Sequence, residues 1–331
     1  MVYVLGIEST AHTFGVGIID ERLNIMSDIR YQYKPPEGMG IEPFMAAEHH
    51  SGIASRAVSE ALDEASIKIG DIDAIGYSMG PGLGPCLRIG ATVARVLSYR
   101  YGIPLYPVHH GIGHIELVKS MYRLKNPLIL LISGGHTVIT AYKDGRWRSY
   151  GETLDITIGN LLDVFAREAG LGFPGGPKIE LLAREGRNYI ELPYTIKGSN
   201  FQFSGLLTKA VQLLKEGKDL NDLAYSLQET AFSIVVEAVE RAIASMKSDI
   251  DSIAVTGGVA SNDELYKKLS LMANNHGLNV YRLSKRLNGD NGVQIAVVAL
   301  KMYLNSLPPI DVEKAIIRQR WRFDEVDIKW T

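Results

Sequence analysis

The chain has 331 residues, of which 46% are hydrophobic and 22% charged, and this length corresponds to roughly two average domains. The composition excludes a mainly disordered chain, and the net charge of -2 excludes a positive field over the whole protein. The single cysteine, Cys86, excludes an intramolecular disulfide and a zinc site built from cysteines. No apolar run approaches the ~20 residues of a membrane span, and we expect a cytoplasmic protein.

The first part of the chain predicts a β-hairpin followed by alternating helices and strands. Apolar residues at 2–5 and 14–19 predict two strands joined by a small polar turn. Helical spacing of apolar residues then predicts a helix over 51–69. The next predicted elements are a strand over 72–79, a turn at 80–85, a helix over 87–101, a strand over 105–108 and a helix over 109–122.

The same pattern begins again near residue 128. A strand over 128–132, a turn at 133–137 and a strand over 138–142 repeat the first hairpin, with Thr10 and Thr137 at equivalent positions 127 residues apart. A repeated unit of this kind predicts two α/β lobes with a cleft between them. We place the first lobe at 1–126 and the second at 127–307. The tail, 308–331, is expected to pack back on the first lobe.

The later part of the chain is mainly helical. The clearest predicted helices cover 219–246 and 293–303, with a strand over 253–256 between them. Together with the earlier elements, this order indicates an α/β fold in both halves.

Three glycine-containing turns each follow a predicted strand, at 6–13, 133–137 and 257–262. Glycine lets backbone N–H groups approach a phosphate, and a helix that starts after Gly258 would add a favourable dipole. One such turn is typical of ordinary loops. Here two such turns occupy equivalent positions of a repeat and a third follows a later strand, and this combination favours nucleotide binding.

His110 and His114 are four residues apart on a predicted helix, which places both imidazoles on one face and suits a single metal ion. Asp290, in a polar turn, is the candidate third ligand, with His136 and His12 as alternatives. Two histidines and one carboxylate leave positions open for water or substrate, as in catalytic zinc or non-haem Fe(II) sites. The His-Glu-x-x-His zinc proteases carry a general base after their first histidine, and glycine stands there in this chain, which disfavours a peptidase.

Two carboxylates, Asp163 and Glu180, flank the proline- and glycine-rich loop at 172–177. Carboxylates bind ribose hydroxyls well because they accept two hydrogen bonds side by side. Spacing alone favours a simpler interpretation, in which both residues are acids on the exposed surfaces of helices.

Taken in order, these motifs resemble the tRNA threonylcarbamoyltransferase family, in the archaeal and eukaryotic branch found in the KEOPS complex and formerly described as O-sialoglycoprotein endopeptidase-like. The resemblance implies the two-lobed α/β fold of actin, sugar kinases and Hsp70, with a central nucleotide cleft. The motifs that carry it are Gly6-Ile7-Glu8-Ser9-Thr10-Ala11-His12, His110 with His114, Ser133-Gly134-Gly135, the stretch 152–163, Pro174-Gly175-Gly176-Pro177, Phe203-Ser204-Gly205, the stretch 257–262 and Asp290-Asn291-Gly292.

The resemblance also implies roles for residues. His110, His114 and Asp290 would hold one divalent metal ion and act in catalysis through it, with Fe(II) favoured and zinc as an alternative. Archaeal relatives commonly have a tyrosine ligand where this chain has Leu131, and leucine cannot bind a metal. The residues expected to line ATP or threonylcarbamoyl-adenylate are Leu131, Ile132, Ser133, Gly134, Gly135, Asp163, Gly176, Glu180 and Asn262.

The implied reaction is transfer of a threonylcarbamoyl group from threonylcarbamoyl-adenylate to the N6 amine of the adenosine 3′ to the anticodon, in tRNAs that read codons beginning with A. The implied partners are tRNA, a small atypical protein kinase or ATPase subunit, a dimerising subunit and a small tRNA-contacting subunit. The alternative function is an ATP-driven, chaperone-like nucleotide switch without group transfer, because a fold does not determine a function. A small-molecule kinase is disfavoured, since no aspartate base stands out.

Overall fold

A computed structural model describes residues 1–36, 39–246 and 250–330. Its backbone forms two five-stranded sheets, one built mainly from each half of the chain, with helices on both faces of each sheet. Among these residues, no helix is both long enough and apolar enough to cross a membrane.

The first sheet has the strand order β3-β2-β1-β4-β5. Strands β1, β2 and β3 form an antiparallel meander, β4 lies parallel to β1, and β5 lies parallel to β4. The strands are β1 (Tyr3–Glu8), β2 (Thr13–Asp20), β3 (Ile25–Gln32), β4 (Ala74–Gly80) and β5 (Leu105–His109).

The second sheet, in the order β12-β11-β6-β7-β8, repeats this topology. Its meander is β6-β7-β8, and β11 and β12 continue it in parallel, so the predicted duplication is confirmed. The strands are β6 (Pro127–Ile132), β7 (Thr137–Lys143), β8 (Arg146–Glu152), β11 (Ser252–Thr256) and β12 (Asn279–Arg282), and β9 (Ile196–Lys197) with β10 (Asn200–Phe201) forms a separate short hairpin.

The sequence pattern did not predict the third strand of each meander, β3 or β8. Both lie at the edge of their sheets, and each mixes polar residues with apolar ones. An edge strand pairs on one side only and lacks the continuous apolar run that marks a central strand.

The helices form three layers. Helices α1 and α2 cover the outer face of the first sheet, α3 and α10 fill the space between the sheets, and α4 to α8 cover the outer face of the second sheet. The helices are α1 (Pro43–Ala65), α2 (Gly84–Tyr101), α3 (His110–Met121), α4 (Ile158–Glu168), α5 (Gly175–Glu185), α6 (Ser204–Lys215), α7 (Leu220–Ser245), α8 (Asp263–Asn275), α9 (Lys285–Asn288) and α10 (Gly292–Leu304).

Helix α1 begins at Pro43, eight residues before the predicted start. Proline is well suited to the start of a helix. However, Phe44 and Met45 point to solvent, so the core-facing spacing that predicted the helix is interrupted there. The helices predicted over 219–246 and 293–303 are confirmed as α7 and α10.

Helix α10 lies directly against the backbone of the β1–β2 hairpin. A Cβ atom added to Gly6 would lie 2.2 Å from the carbonyl oxygen of Gly292, and one added to Gly292 would lie 2.1 Å from the backbone nitrogen of Gly17. These glycines bring the start of α10 onto strand β1. Although α10 falls within the range predicted for the second lobe, 127–307, it packs on the first sheet.

The tail after α10 runs across both halves of the molecule. The backbone N–H of Ile310 donates to β5 at 2.8 Å, and that of Arg318 donates to β4 at 2.7 Å. Further on, the N–H of Ile328 donates to the carbonyl of Gly145, in the β7–β8 turn, at 2.8 Å. Thr331, the last residue of the predicted tail, lies outside the described residues.

Candidate metal centre and cleft

A cavity of about 840 Å³ opens between the two sheets. Its walls come from the β1–β2 turn, the start of α3, the turn after β6, helices α4 and α5, the turn before α8, the loop before α10 and the tail. The sequence-predicted residues that line it are His110, Ser133, Gly134, Gly135, Asp163, Gly176, Glu180, Asn262 and Asp290.

The three predicted metal ligands converge beside this cavity. His110 and His114 lie one turn apart at the start of α3, with ring centroids 4.7 Å apart. Asp290 comes from the loop before α10, and its Oδ1 lies 3.5 Å from Nε2 of His110 and 3.2 Å from Nε2 of His114. One donor atom from each residue lies within 4.8 Å of the others.

Glu8, at the end of β1, lies behind His110 and is fully buried. Its Oε2 is 2.9 Å from Nδ1 of His110, and its Oε1 accepts hydrogen bonds from the backbone and hydroxyl of Thr10. A carboxylate at Nδ1 holds a proton on that nitrogen and orients Nε2 toward the cluster.

Neighbouring charges decide the protonation of this group. Burial by itself would lower the pKa of His110, but the charges of Glu8 and Asp290 raise it to about 9. Burial would raise the pKa of Asp290, yet His110 and His114 hold it well below its usual range. Burial lowers the pKa of His114. With no cation bound, His110 is therefore protonated and His114 neutral at pH 7.

The donor set fits a divalent metal ion. Two imidazole nitrogens and a carboxylate oxygen are ligands of catalytic zinc and non-haem Fe(II) sites. Glu8 supplies the outer partner that a metal-bound histidine usually has. His136 lines the cavity and stacks on His110 with centroids 6.4 Å apart, but it is outside the group of donors found among the described residues.

Leu131 and Ile132, predicted to line the nucleotide, have fully buried side chains. Leu131 packs in the core between the sheets with α3 and α10, and Ile132 packs in the core under α4 to α8. Neither side chain is part of the described cavity wall. A binding role for these two residues stays a prediction.

Hydrogen bonds to the Ser133 side chain stabilise the glycine turn after β6. The Oγ atom of Ser133 accepts hydrogen bonds from the backbone N–H groups of Gly135 at 3.2 Å and His136 at 3.0 Å. A Cβ atom added to Gly134 or Gly135 would have no neighbour within 4 Å, so the turn presents backbone to open space.

Helices α4 and α5 bring Asp163, Gly176 and Glu180 to the cavity wall. The Oδ1 atom of Asp163 accepts from the N–H of Gly175 at 2.7 Å, which ties the two helices together, and burial raises the pKa of this carboxyl. Oε1 of Glu180 accepts from Arg184 at 2.9 Å.

Asn262 ends the third glycine turn and caps α8. The helix predicted to start after Gly258 is present, because Gly258–Ser261 form a short 3₁₀ turn and α8 begins at Asp263. The side-chain oxygen of Asn262 accepts from the N–H of Glu264 at 3.0 Å, an arrangement that strongly favours a helix start. Its amide nitrogen donates to Gln228 at 2.8 Å.

Sequence reasoning assigned no site role to Glu8, which contacts His110. It also assigned none to Gln319, Arg320 and Trp321, the tail residues that line the cavity. An ionisable residue that ends a buried strand beside a polar turn was the available signal for Glu8. In the tail the signal was a set of cationic residues interleaved with Trp321 and Trp330, and this pattern favoured a segment docked on the surface over contact with RNA.

Two sheets of the same topology, with helices between and around them and a cleft at their junction, define a two-lobed α/β protein of the actin, sugar-kinase and Hsp70 fold class. Component A of (R)-2-hydroxyglutaryl-CoA dehydratase from Acidaminococcus fermentans has a TM-score of 0.60 at 14% identity, covering 92% of this chain and 100% of that chain. HypF from T. kodakarensis has a TM-score of 0.62 at 16% identity, covering 92% of this chain and 48% of that chain. The expected fold class is confirmed.

The family model for tRNA N6-adenosine threonylcarbamoyltransferase matches residues 24–297. The protein of this name from Aeropyrum pernix is 50% identical to this chain, over 99% of this chain and 95% of its own length. The one from Sulfurisphaera tokodaii is 47% identical, over 99% of this chain and 98% of its own length. A probable bifunctional tRNA threonylcarbamoyladenosine biosynthesis protein from Thermoplasma acidophilum is 47% identical over 99% of this chain and 61% of its own length. The chain belongs to the tRNA N6-adenosine threonylcarbamoyltransferase family.

Proposed function

We propose that this chain transfers a threonylcarbamoyl group from threonylcarbamoyl-adenylate to the N6 amine of the adenosine 3′ to the anticodon, in tRNAs that read codons beginning with A. The observation that carries the proposal is the convergence of His110, His114 and Asp290 beside the cavity in a chain of this family. The names of the relatives do not favour the alternative of a nucleotide switch.

The adenylate is held on the wall formed by Asp163, Gly176, Glu180 and Asn262, where carboxylates accept hydrogen bonds from ribose hydroxyls. His110, His114 and Asp290 would hold a divalent cation, with Fe(II) favoured over zinc, and this cation would supply Lewis-acid chemistry for a carbonyl or phosphate oxygen. The N6 nitrogen bonds to the carbamoyl carbon, the bond from that carbon to the phosphate oxygen breaks, and AMP leaves.

The N6 nitrogen must also lose a proton, and two histidines line the cavity beside the metal centre. Burial, together with the charges of His110 and His114, lowers the pKa of His136 to about 3, so it accepts a proton weakly. Burial raises the pKa of Asp163, and the nearby His12 acts in the opposite direction, so the two side chains are close. The His12 ring packs edge-on against Phe173, with ring centroids 5.3 Å apart. We assign the proton acceptor to His12.

The test is transfer of labelled threonine into unmodified tRNA, with threonylcarbamoyl-adenylate made in place by the upstream synthase. We expect His114→Ala to lower transfer at least about 100-fold and to lose bound metal. His276→Ala is the matched control, because His276 is on the surface and pairs with Glu240. Unchanged transfer by His114→Ala rejects the mechanism. No transfer by the wild type with every partner present, while ATP still binds, supports the nucleotide switch.

The proposed partners are tRNA, a small atypical protein kinase or ATPase subunit, a dimerising subunit and a small tRNA-contacting subunit. The net charge of -2 supports subunits that add positive surface for tRNA, since phosphate contacts dominate such affinity. Val96, Tyr99 and Tyr101 are each at least half exposed near the end of α2, which supports docking there. A cytoplasmic location is supported by Cys86, which is buried and unpaired.

A further inference from the structure

The acids and the cations that line the cavity come from different parts of the chain. The acids Asp163, Glu180 and Asp290 belong to α4, α5 and the loop before α10, whereas the cations Lys34 and Arg320 belong to the segment after β3 and to the tail. Each acid already has a partner inside the protein, namely a backbone N–H, an arginine and the histidines of the metal centre.

Lys34 and Arg320, which we call the cationic rim, differ from these acids. Within the described parts of the chain, neither side chain makes an ion pair or hydrogen bond. Arg322, two residues further along the tail, does pair with Asp324 and Glu152. Uncompensated positive charges on the wall of a cleft concentrate positive potential there and attract an anion.

The backbone on both sides of Arg320 is held in place. The N–H of Arg318 donates to β4 at 2.7 Å, and the carbonyl of Gln319 accepts from the turn after β4 at 3.2 Å. On the other side, the carbonyl of Trp321 accepts from Nε2 of His109 at 3.0 Å. Because the tail is ordered before any ligand arrives, binding through Arg320 requires little further ordering of the chain.

The anion that fits this place is the sugar-phosphate backbone of the acceptor RNA. If the proposed function holds, the adenylate occupies the opposite wall, and the acceptor adenosine must enter from the side of the rim. Single-stranded loops are bound by cations that contact phosphates beside aromatic side chains, and Trp321 lines the cavity next to Arg320. We infer that Lys34 and Arg320 bind the phosphates that flank the acceptor adenosine of the tRNA anticodon loop.

The test uses Arg320→Gln, Lys34→Gln and the double variant in the complete transferase assay, with the full chain and its partner subunits. Lys329→Gln is the matched control, because it removes one positive charge from an exposed position of the same tail away from the cavity. We expect the KM for tRNA to rise about fivefold for each single variant and about 20-fold for the double variant, with kcat lowered less than twofold. The salt dependence of tRNA binding is expected to fall by about 0.7 per cation removed.

A KM for tRNA and a salt dependence equal to those of the control overturn the inference while leaving the proposed transferase function intact. A loss of ATP affinity in the double variant, with tRNA binding unchanged, also overturns it and assigns the rim to the nucleotide phosphates. If the wild type transfers no threonylcarbamoyl group, the proposed function fails, and the rim is tested by binding of an unmodified anticodon stem-loop RNA. Equal RNA affinity of the wild type and the double variant then refutes the inference.

Discussion

Replacing Gly6 by alanine adds one methyl group at the contact between strand β1 and helix α10. The new Cβ atom would lie 2.2 Å from the carbonyl oxygen of Gly292 and 2.3 Å from the backbone nitrogen of Ala296. Both neighbours are backbone atoms, so rotation of a side chain cannot relieve the clash. Since ordinary contacts lie near 3.5 Å, the helix must move away from the strand by about 1 Å.

Overpacking a core costs about 1–3 kcal/mol, and the rigid backbone on both sides places Gly6→Ala at the upper end, about 3 kcal/mol. The same movement reaches the metal centre. Asp290 precedes the first residue of α10 by two positions, and a shift of about 1 Å would separate it from His110 and His114. We therefore expect weaker metal binding as well as lower stability.

The assay is urea unfolding together with metal titration, with Gly52→Ala as the control. Gly52 is exposed within α1, and a Cβ atom there would have no neighbour within 4 Å. Alanine at that position is expected to stabilise the protein by about 0.5–1 kcal/mol through helix propensity. If Gly6→Ala unfolds within about 0.5 kcal/mol of the wild type and binds metal equally well, the backbone contact does not hold α10 in place.

Further predictions concern the buried polar groups. Glu8→Gln is expected to weaken metal binding about 10–100-fold in calorimetric titration, and unchanged affinity would show that Glu8 does not orient His110. Because the pKa of His110 is about 9, metal affinity should rise with pH up to that value with release of a proton, and a flat profile would contradict this. Burial lowers the pKa of His50 to about 4, below its unfolded value of 6.5, so its stabilising contribution is present above pH 6.5 and is lost as the pH falls toward 4. When the free energy of unfolding is measured between pH 6.5 and 4, His50→Asn should lose less stability on acidification than the wild type. An equal loss of stability would rule out His50 as its cause. His109 caps α3 and binds the carbonyl of Trp321, so His109→Ala should cost about 1 kcal/mol and speed proteolysis of the tail, and unchanged cleavage would argue against this anchor.

Local patterns in the sequence were sufficient for several parts of this protein. Apolar runs separated by small polar turns predicted the duplicated hairpins, because the alternation of side chains along a strand is a local property. The spacing of His110 and His114 predicted one shared face, because residues four apart meet on any helix. Asp290 was one of three candidates for the third ligand, and the resemblance to a family selected it, since it lies 176 residues from His114 and no local period connects the two.

Tertiary structure decided what depends on contacts between distant segments. Glu8 reaches His110 across 102 residues of sequence, and Arg320 joins the cavity wall only because the tail is bonded to β4 and to His109. Helix α10 lies on the first sheet because glycines in β1, β2 and α10 permit backbone contact. A sequence period reports which face of an element is apolar, whereas the partner of that face is determined by packing of the whole chain.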